Sequence, residues 1–139
     1  MERVVYRQMA ELDQRHWWYR ARREVLAALI RRAVKPPNDA AVLEIGCGTG
    51  HNLAMLAEFG KVDALVLDEE ARGVAEQRLG RQVMSSPLPE LAEVAERHYD
   101  LVGACDVIEH IEDDRAALAA LYALPNGAEI RAGAREEEE

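Results

Sequence analysis

The chain has 139 residues, of which 49% are hydrophobic and 31% are charged, and its formal net charge at pH 7 is −9. This length suits one globular domain, because two separate cores would each be small. No apolar run approaches the roughly 20 residues that cross a bilayer, and the polar N-terminus lacks the apolar stretch of a signal peptide. We therefore expect a cytoplasmic protein with no membrane partner.

The charge is unevenly distributed along the chain. Residues 1–35 carry nine basic and four acidic side chains, a net charge of +5, whereas the remainder has a net charge of −14. An acidic main body repels phosphate, which argues against a nucleic-acid partner. The two cysteines, Cys47 and Cys105, make neither a disulfide framework nor a metal site, so no metal is expected.

The chain begins with a predicted helix and continues with alternating strands and helices. Apolar side chains at spacings of three, four and seven predict a helix over residues 11–34, which Pro36 and Pro37 end. Short apolar runs predict strands over residues 41–45, 62–68, 81–84 and 99–107. Helical patterns predict helices over residues 52–59, 69–79, 88–97 and 112–124. Gly60 is expected to form a left-handed cap after the first of these, and Gly80 lies just beyond the second.

This alternation predicts an α/β fold with a doubly wound, mainly parallel sheet that has helices on both faces. We expect one domain made of an N-terminal helical segment (1–37), an α/β core (38–127) and a polar tail (128–139). The tail has one large apolar residue, Ile130, and ends in four glutamates, so it predicts only a poor fifth strand.

A glycine loop follows the first predicted strand. Gly46, Gly48 and Gly50 lie between a strand and a helix, where an open α/β sheet places its ligand crevice. A dinucleotide fingerprint would need glycine at position 51, and His51 stands there instead. Asp68 closes the second strand, where a carboxylate can accept hydrogen bonds from both hydroxyls of a ribose. Its alternative role is to cap the helix that follows.

Three ordered motifs resemble those of class I S-adenosylmethionine-dependent methyltransferases of the small-molecule branch. Residues 43–50 are similar to their first motif, Asp68 to their ribose-binding acid, and residues 99–111 to their fourth-strand motif. Residues 16–19, His-Trp-Trp-Tyr, are similar to an aromatic segment that precedes the core in some of these enzymes. The resemblance implies a Rossmann-like sheet of seven strands in the order 3-2-1-4-5-7-6, of which this chain holds strands 3-2-1-4 and leaves the fifth open.

The resemblance also implies a set of cofactor-binding residues. These are Glu44, Gly46, Cys47, Gly48, Gly50, Asp68, Met84, Ser85 and Asp106. Glu44 would orient the glycine loop or hold a water near the amino group of the cofactor, and Met84 and Ser85 would lie beside the adenine. His110 is the candidate acid or base because imidazole titrates near neutral pH, with a structural histidine as the alternative. Asp106 is the second catalytic candidate, with a loop-capping acid as the alternative.

The function implied by the resemblance is transfer of a methyl group from S-adenosylmethionine to a small-molecule acceptor, with S-adenosylhomocysteine as product. Two other functions stay open at this stage, a nucleotide-cofactor oxidoreductase and a non-catalytic binding or assembly module. The family continues into a fifth strand and a hairpin, so we expect this chain to be a truncated form, or its fourth strand to be an apolar edge. An open edge invites pairing, and we expect either a homodimer through this edge or pairing of the tail onto the fourth strand.

Overall fold

The computed structural model describes residues 10–85, 97–104 and 129–132, together with Gln8, Arg115, Ala116 and Ala119. The elements in chain order are α1 (Trp17–Leu29), a π-helical turn (Ile30–Val34), β1 (Ala40–Ile45), α2 (Leu53–Ala57), β2 (Gly60–Leu65), α3 (Glu69–Leu79), β3 (Leu101–Ala104) and β4 (Glu129–Ala132). The helical state of residues 115–116 and 119 agrees with the helix predicted there. The rest of that helix and residues 88–96 of the preceding one lie outside the described residues.

All four strands run parallel in the order β2-β1-β3-β4. The predicted third strand is reduced to one bridge, in which Met84 pairs with Leu65 on the outer side of β2. Two backbone hydrogen bonds hold this bridge, from Met84 N to Ala64 O (2.9 Å) and from Val66 N to Met84 O (3.0 Å). The predicted α/β sheet order 3-2-1-4 is therefore confirmed, with the third strand shorter than expected.

The tail was predicted to be a poor strand, yet the alternative expectation, that it pairs onto the fourth predicted strand, is confirmed. Residues 129–132 pair in parallel with β3, with Leu101 opposite Glu129 and Ala104 opposite Ala132. Strand pairing uses main-chain groups, so a segment with few apolar side chains can still pair with an open edge. Because β4 covers β3, the outermost strand on this side of the sheet, among the described residues, is now β4, and self-association stays a prediction.

The sheet core is built around β1, whose six residues include five that are buried. A central parallel strand is covered on both faces and therefore reads as a continuous apolar run, as the sequence predicted. The other buried residues of the core lie on β2, β3, the helices and the segment before Met84, and include Leu53, Val62, Leu65, Ala71, Ala75, Val83 and Val102. No helix in the described part of the chain is long and apolar enough to span a membrane.

The single helix predicted over residues 11–34 is wrong, because the chain turns at residues 13–15. Arg15 N and His16 N both donate to Leu12 O (3.0 and 2.7 Å), which ends the short helical stretch before them. A new helix, α1, then begins at Trp17, and His16 Nδ1 caps it by accepting from Trp18 N (3.2 Å). The turn carries Asp13 into the interior, where its side chain is completely buried.

The two glycines that follow helices have different roles. Gly80 is a left-handed cap of α3, with φ 78°, as its position suggested. Gly60 is not a cap, which corrects the prediction. It is the first residue of β2 and lies opposite Ala40 in the register. A Cβ at this position would overlap the backbone of Ala40, so the close approach of β1 and β2 explains the glycine.

Two glycine-to-alanine substitutions should therefore shift stability in opposite directions. Gly60→Ala should lower the free energy of unfolding by roughly 1–3 kcal/mol, because the new methyl group forces β1 and β2 apart. Gly73→Ala is the matched control, since Gly73 lies within α3 with nothing within 4 Å of an added Cβ. It should raise the free energy of unfolding by about 0.5–1 kcal/mol. Urea denaturation of both variants tests this, and equal midpoints would contradict it.

Candidate functional site

The glycine loop, residues 46–50, joins β1 to the turn before α2 at the carboxyl edge of the sheet. Gly46, Gly48 and Gly50 have φ values of 68°, 56° and 81°, a left-handed region that favours glycine. Cys47 N donates to Leu65 O (3.0 Å), which holds the loop against the end of β2. The loop therefore lies beside the ends of two neighbouring strands, the position in which open α/β sheets bind ligands.

Two glycines of the loop face different surroundings. A Cβ on Gly50 would lie 2.7 Å from Leu53 Cδ1 and 3.2 Å from Ala75 Cα, so this glycine allows α2 and α3 to pack against the loop. A Cβ on Gly48 would meet nothing within 4 Å. Packing therefore explains Gly50 but not Gly48, and a ligand can approach the backbone at Gly48.

Glu44 and Asn52 flank the glycine loop and are both buried. Asn52 Nδ2 donates to Glu44 Oε1 at 3.4 Å, but among the described residues Glu44 Oε2 and Asn52 Oδ1 have no hydrogen-bond partner. Burial raises the pKa of Glu44 to about 7, against the lowering effects of the Asn52 hydrogen bond and the Arg22 charge. Buried polar atoms are normally paired, so two unpaired acceptors here indicate a site for a hydrogen-bond donor.

Asp68 caps α3, and its Oδ1 accepts from Ala71 N at 2.9 Å. The capping role that the sequence left open is thus confirmed. It does not compete with ligand binding, because within the described part of the chain no donor is placed on Oδ2. The side chain is half-buried and follows β2, so its second oxygen remains available at the carboxyl edge.

The other predicted site residues are distributed as follows. Cys47 is buried in the core cluster, and burial together with the Glu44 charge raises the pKa of its thiol, so it stays protonated. Met84 and Ser85 are half-buried and lie next to the end of β2. Asp106 and His110 lie outside the described residues. Among the described residues no cluster of three His, Cys, Asp or Glu side chains could hold a metal ion.

The aromatic segment, residues 16–19, reaches the far end of the glycine loop. The Tyr19 ring lies 5.4 Å from that of His51, the residue that follows Gly50, and Trp18 packs edge-on against Tyr19 at 4.9 Å. Burial lowers the pKa of His51, so its imidazole is neutral at neutral pH. Trp17 is 72% exposed. The segment therefore docks through Tyr19 and leaves its tryptophans at the surface.

A buried ionic cluster that the sequence did not predict ties the N-terminal segment to the glycine loop. Asp13 Oδ2 accepts from Thr49 Oγ1 (2.9 Å) and Arg78 Nη1 (2.8 Å), and its Oδ1 accepts from Arg78 Nη2 (3.0 Å). Arg78 also donates to Thr49 O (3.1 Å) and Ala10 O (3.0 Å). Arg23 donates to Asp13 O (2.8 Å) and His51 O (3.3 Å). No local pattern in the sequence could have linked Asp13 to Arg78, because the two residues are 65 positions apart.

Comparison with known protein families gives one match. A family model described as a methyltransferase domain matches residues 17–128, which is more than half of the chain. The match includes the glycine loop, Asp68 and the region of the fourth-strand motif. A comparison with the sequences of curated proteins gave no match.

Solved structures provide a comparison of the fold. A putative S-adenosylmethionine-dependent methyltransferase from Methanococcus maripaludis is 18% identical with a TM-score of 0.71, covering 92% of this chain and 62% of that one. An amino pentose methyltransferase from Micromonospora echinaspora, solved with bound S-adenosylmethionine, is 24% identical with a TM-score of 0.63, covering 89% and 52%. A TehB-like methyltransferase from Corynebacterium glutamicum is 26% identical with a TM-score of 0.56, covering 70% and 54%.

At these identities the first two structures show the fold alone. The chain spans about half to three fifths of the length of these proteins. Their shared fold confirms the Rossmann-like α/β class that the sequence predicted.

The raised pKa of Glu44 generates a prediction about stability and pH. In the folded state Glu44 has a pKa of about 7, whereas the ordinary pKa of an exposed glutamate is 4.5. Between these values the folded state binds more protons, so stability should fall as the pH rises, by roughly 3 kcal/mol at most. Urea denaturation at about pH 5 and about pH 8 should show a larger loss for wild type than for Glu44→Gln. Parallel losses in the two proteins would show that Glu44 titrates normally.

Proposed function

The chain belongs to the methyltransferase-domain family, and we propose that it binds S-adenosylmethionine at the glycine loop for methyl transfer to a small-molecule acceptor. The observation that carries this proposal is a pair of buried acceptors, Glu44 Oε2 and Asn52 Oδ1, that have no partner in the part of the chain that the structure describes, where the backbone at Gly48 is also open. Glycines 46, 48 and 50 would lie along the methionine part of the cofactor. S-adenosylhomocysteine would bind as the product.

The residues present fit the polar groups of this cofactor. Its ammonium group carries a positive charge and can donate hydrogen bonds. Glu44 Oε2 and Asn52 Oδ1 have no donor within the described part of the chain, so the ammonium group could fill that place. Its ribose offers two hydroxyls, and Asp68 keeps one carboxylate oxygen beyond the capping bond. Beside the adenine, Met84 N and Met84 O are both used in sheet pairing, so the Met84 side chain and Ser85 would supply the contacts there.

The chemistry asks mainly for positioning. S-adenosylmethionine supplies a methyl group on a positively charged sulfur, so its leaving group is already activated and the protein aligns the reactants and excludes water. The raised pKa of Cys47 argues against a role as a nucleophile. We propose His110 and Asp106 for any proton transfer from the acceptor, as the fourth-strand motif implies.

The remaining predictions follow the same proposal. We propose a cytoplasmic location, and self-association through the outer edge of the sheet is the next property to measure. The single-domain division into residues 1–37, 38–127 and 128–139 is part of the proposal as well. We propose a small molecule as the methyl acceptor.

Calorimetric titration with S-adenosylhomocysteine tests the proposal. Wild type should bind, and Asp68→Ala should bind roughly 10- to 100-fold more weakly, because a charged acceptor of ribose hydroxyls is lost. The alanine also removes the cap of α3, at about 1 kcal/mol of stability. Asp68→Ser is therefore the matched variant, since serine caps a helix without a carboxylate.

The two variants separate the roles of Asp68. Weak binding by a stable Asp68→Ser protein supports ribose recognition, whereas normal binding by it would leave Asp68 as a helix cap only. No heat with folded wild type would contradict the cofactor site and favour a non-catalytic module. Binding of a nicotinamide dinucleotide in its place would favour the oxidoreductase.

A further inference from the structure

We propose that Asp13 is a positioning residue for the cofactor loop, which it acts on through Thr49 and Arg78. This inference rests on the proposed function and adds a residue that lies outside every motif of the glycine loop. Asp13 and Thr49 are 36 positions apart in the sequence, and Asp13 and Arg78 are 65 apart. The contact therefore joins the N-terminal segment and α3 at the middle of the loop.

The geometry fixes Thr49 from two directions. Thr49 lies between the left-handed residues Gly48 and Gly50 and is itself completely buried. Its hydroxyl donates to Asp13 Oδ2 (2.9 Å), and its carbonyl accepts from Arg78 Nη1 (3.1 Å). Both its side chain and its main chain are thus held by the same ion pair. Because the glycines on either side have no side chains that could anchor the loop, Thr49 supplies the side-chain contact at its middle, and the ion pair holds it in place.

Arg23, which lies on α1, links the same N-terminal turn to His51, the residue that follows the loop. Arg23 Nη1 donates to Asp13 O and to His51 O, at 2.8 and 3.3 Å. The His51 ring packs against Tyr19 of the aromatic segment. Residues 49–51 are therefore anchored at both ends by groups from outside the loop, and Asp13 takes part through its side chain and its carbonyl.

The use of a buried charge for this contact indicates positioning. A fully buried carboxylate loses its hydration, and apolar residues of similar volume often hold elements together at least as well. The hydrogen bonds of Asp13 instead fix directions, since the guanidinium of Arg78 binds both carboxylate oxygens and Thr49 completes the set. This directional contact matters at a loop whose backbone meets the ligand.

The test compares affinity for S-adenosylhomocysteine with folding stability. Asp13→Asn keeps the shape of the side chain but loses its charge. In the absence of urea, where the variant is fully folded, the Kd should rise about tenfold. Thr49→Val replaces the hydroxyl with a methyl group of similar size and, as a single substitution, should weaken binding. In the Asp13→Asn background it should change the Kd by less than about twofold, because the two residues act through one contact.

Asp63→Asn is the matched control. Asp63 is a carboxylate that accepts from Arg81 Nη1 (2.9 Å), Tyr99 OH (2.7 Å) and Arg97 Nη1 (3.4 Å), a set of donors comparable with that of Asp13. None of these partners belongs to the glycine loop. Asp63→Asn should lower the urea midpoint and leave the Kd unchanged. If Asp13 had a purely structural role, Asp13→Asn would give this same result.

Amide hydrogen exchange gives a readout that does not depend on the cofactor. Gly50 N and Leu53 N donate to Cys47 O (2.9 Å) and Gly50 O (3.2 Å), so their exchange reports the loop itself. Both amides should exchange faster in Asp13→Asn and Thr49→Val than in Asp63→Asn. If wild type fails to bind the cofactor, this comparison still decides the role of Asp13.

The outcomes separate the two proposals. Binding by wild type with an unchanged Kd in folded Asp13→Asn would overturn the positioning role and leave the cofactor site standing. Absence of binding by wild type would overturn the cofactor site, and faster exchange at Gly50 would then still support the role of Asp13. Unchanged exchange in that case would overturn it. Should Asp13→Asn fail to fold, Thr49→Val carries both measurements.

Discussion

The parallel pairing of β1 on both of its edges is the constraint on which the rest of the structure depends. β1 pairs with β2 from Ala40 to Ile45 and with β3 from Val42 to Glu44, so both edges of its backbone are engaged. Parallel strands end at the same edge of a sheet, and the glycine loop and Asp68 therefore emerge side by side. The position of the site is thus a consequence of the sheet order, and the bond from Cys47 N to Leu65 O holds the start of the loop against the end of β2.

The fold was predictable where burial leaves a local signal. β1 reads as a continuous apolar run because both of its faces are covered, and the bounds of α3 were predicted to the residue by its apolar face and the cap at Gly80. The break at Asp13 was not predictable, because its partner Arg78 is 65 positions away and both read as solvated helix positions. Gly60 was misread for a related reason, since the close approach of two backbones leaves no side-chain pattern. The pairing of the tail with the fourth strand was expected from the open edge of that strand and not from the apolar content of the tail.

The candidate site divides in the same way. Its backbone part was predictable, because the loop glycines and Asp68 occur at spacings that follow from strand and helix lengths, and the structure brings them to one edge of the sheet. Its polar interior was predictable only in part. Glu44 stood out as an acid before the glycines, whereas nothing singled out Asn52, the first residue of a predicted helix, or Thr49 within the glycine loop. Their importance lies in hydrogen bonds across the loop, which depend on how the chain folds back over itself.

Asp13 and Glu44 show two uses of a buried carboxylate at the same loop. Asp13 accepts three hydrogen bonds and faces a guanidinium, so its charge is compensated within the fold. Glu44 accepts one bond at 3.4 Å, and burial raises its pKa to about 7. Ionisation of Glu44 therefore lowers the stability of the ligand-free protein at neutral pH. A cation bound beside Glu44 would remove this destabilisation, and the difference would add to the binding affinity. The proposed cofactor carries an ammonium group. Glu44, whose negative charge is less well compensated than that of Asp13, is therefore better suited to bind this ammonium group.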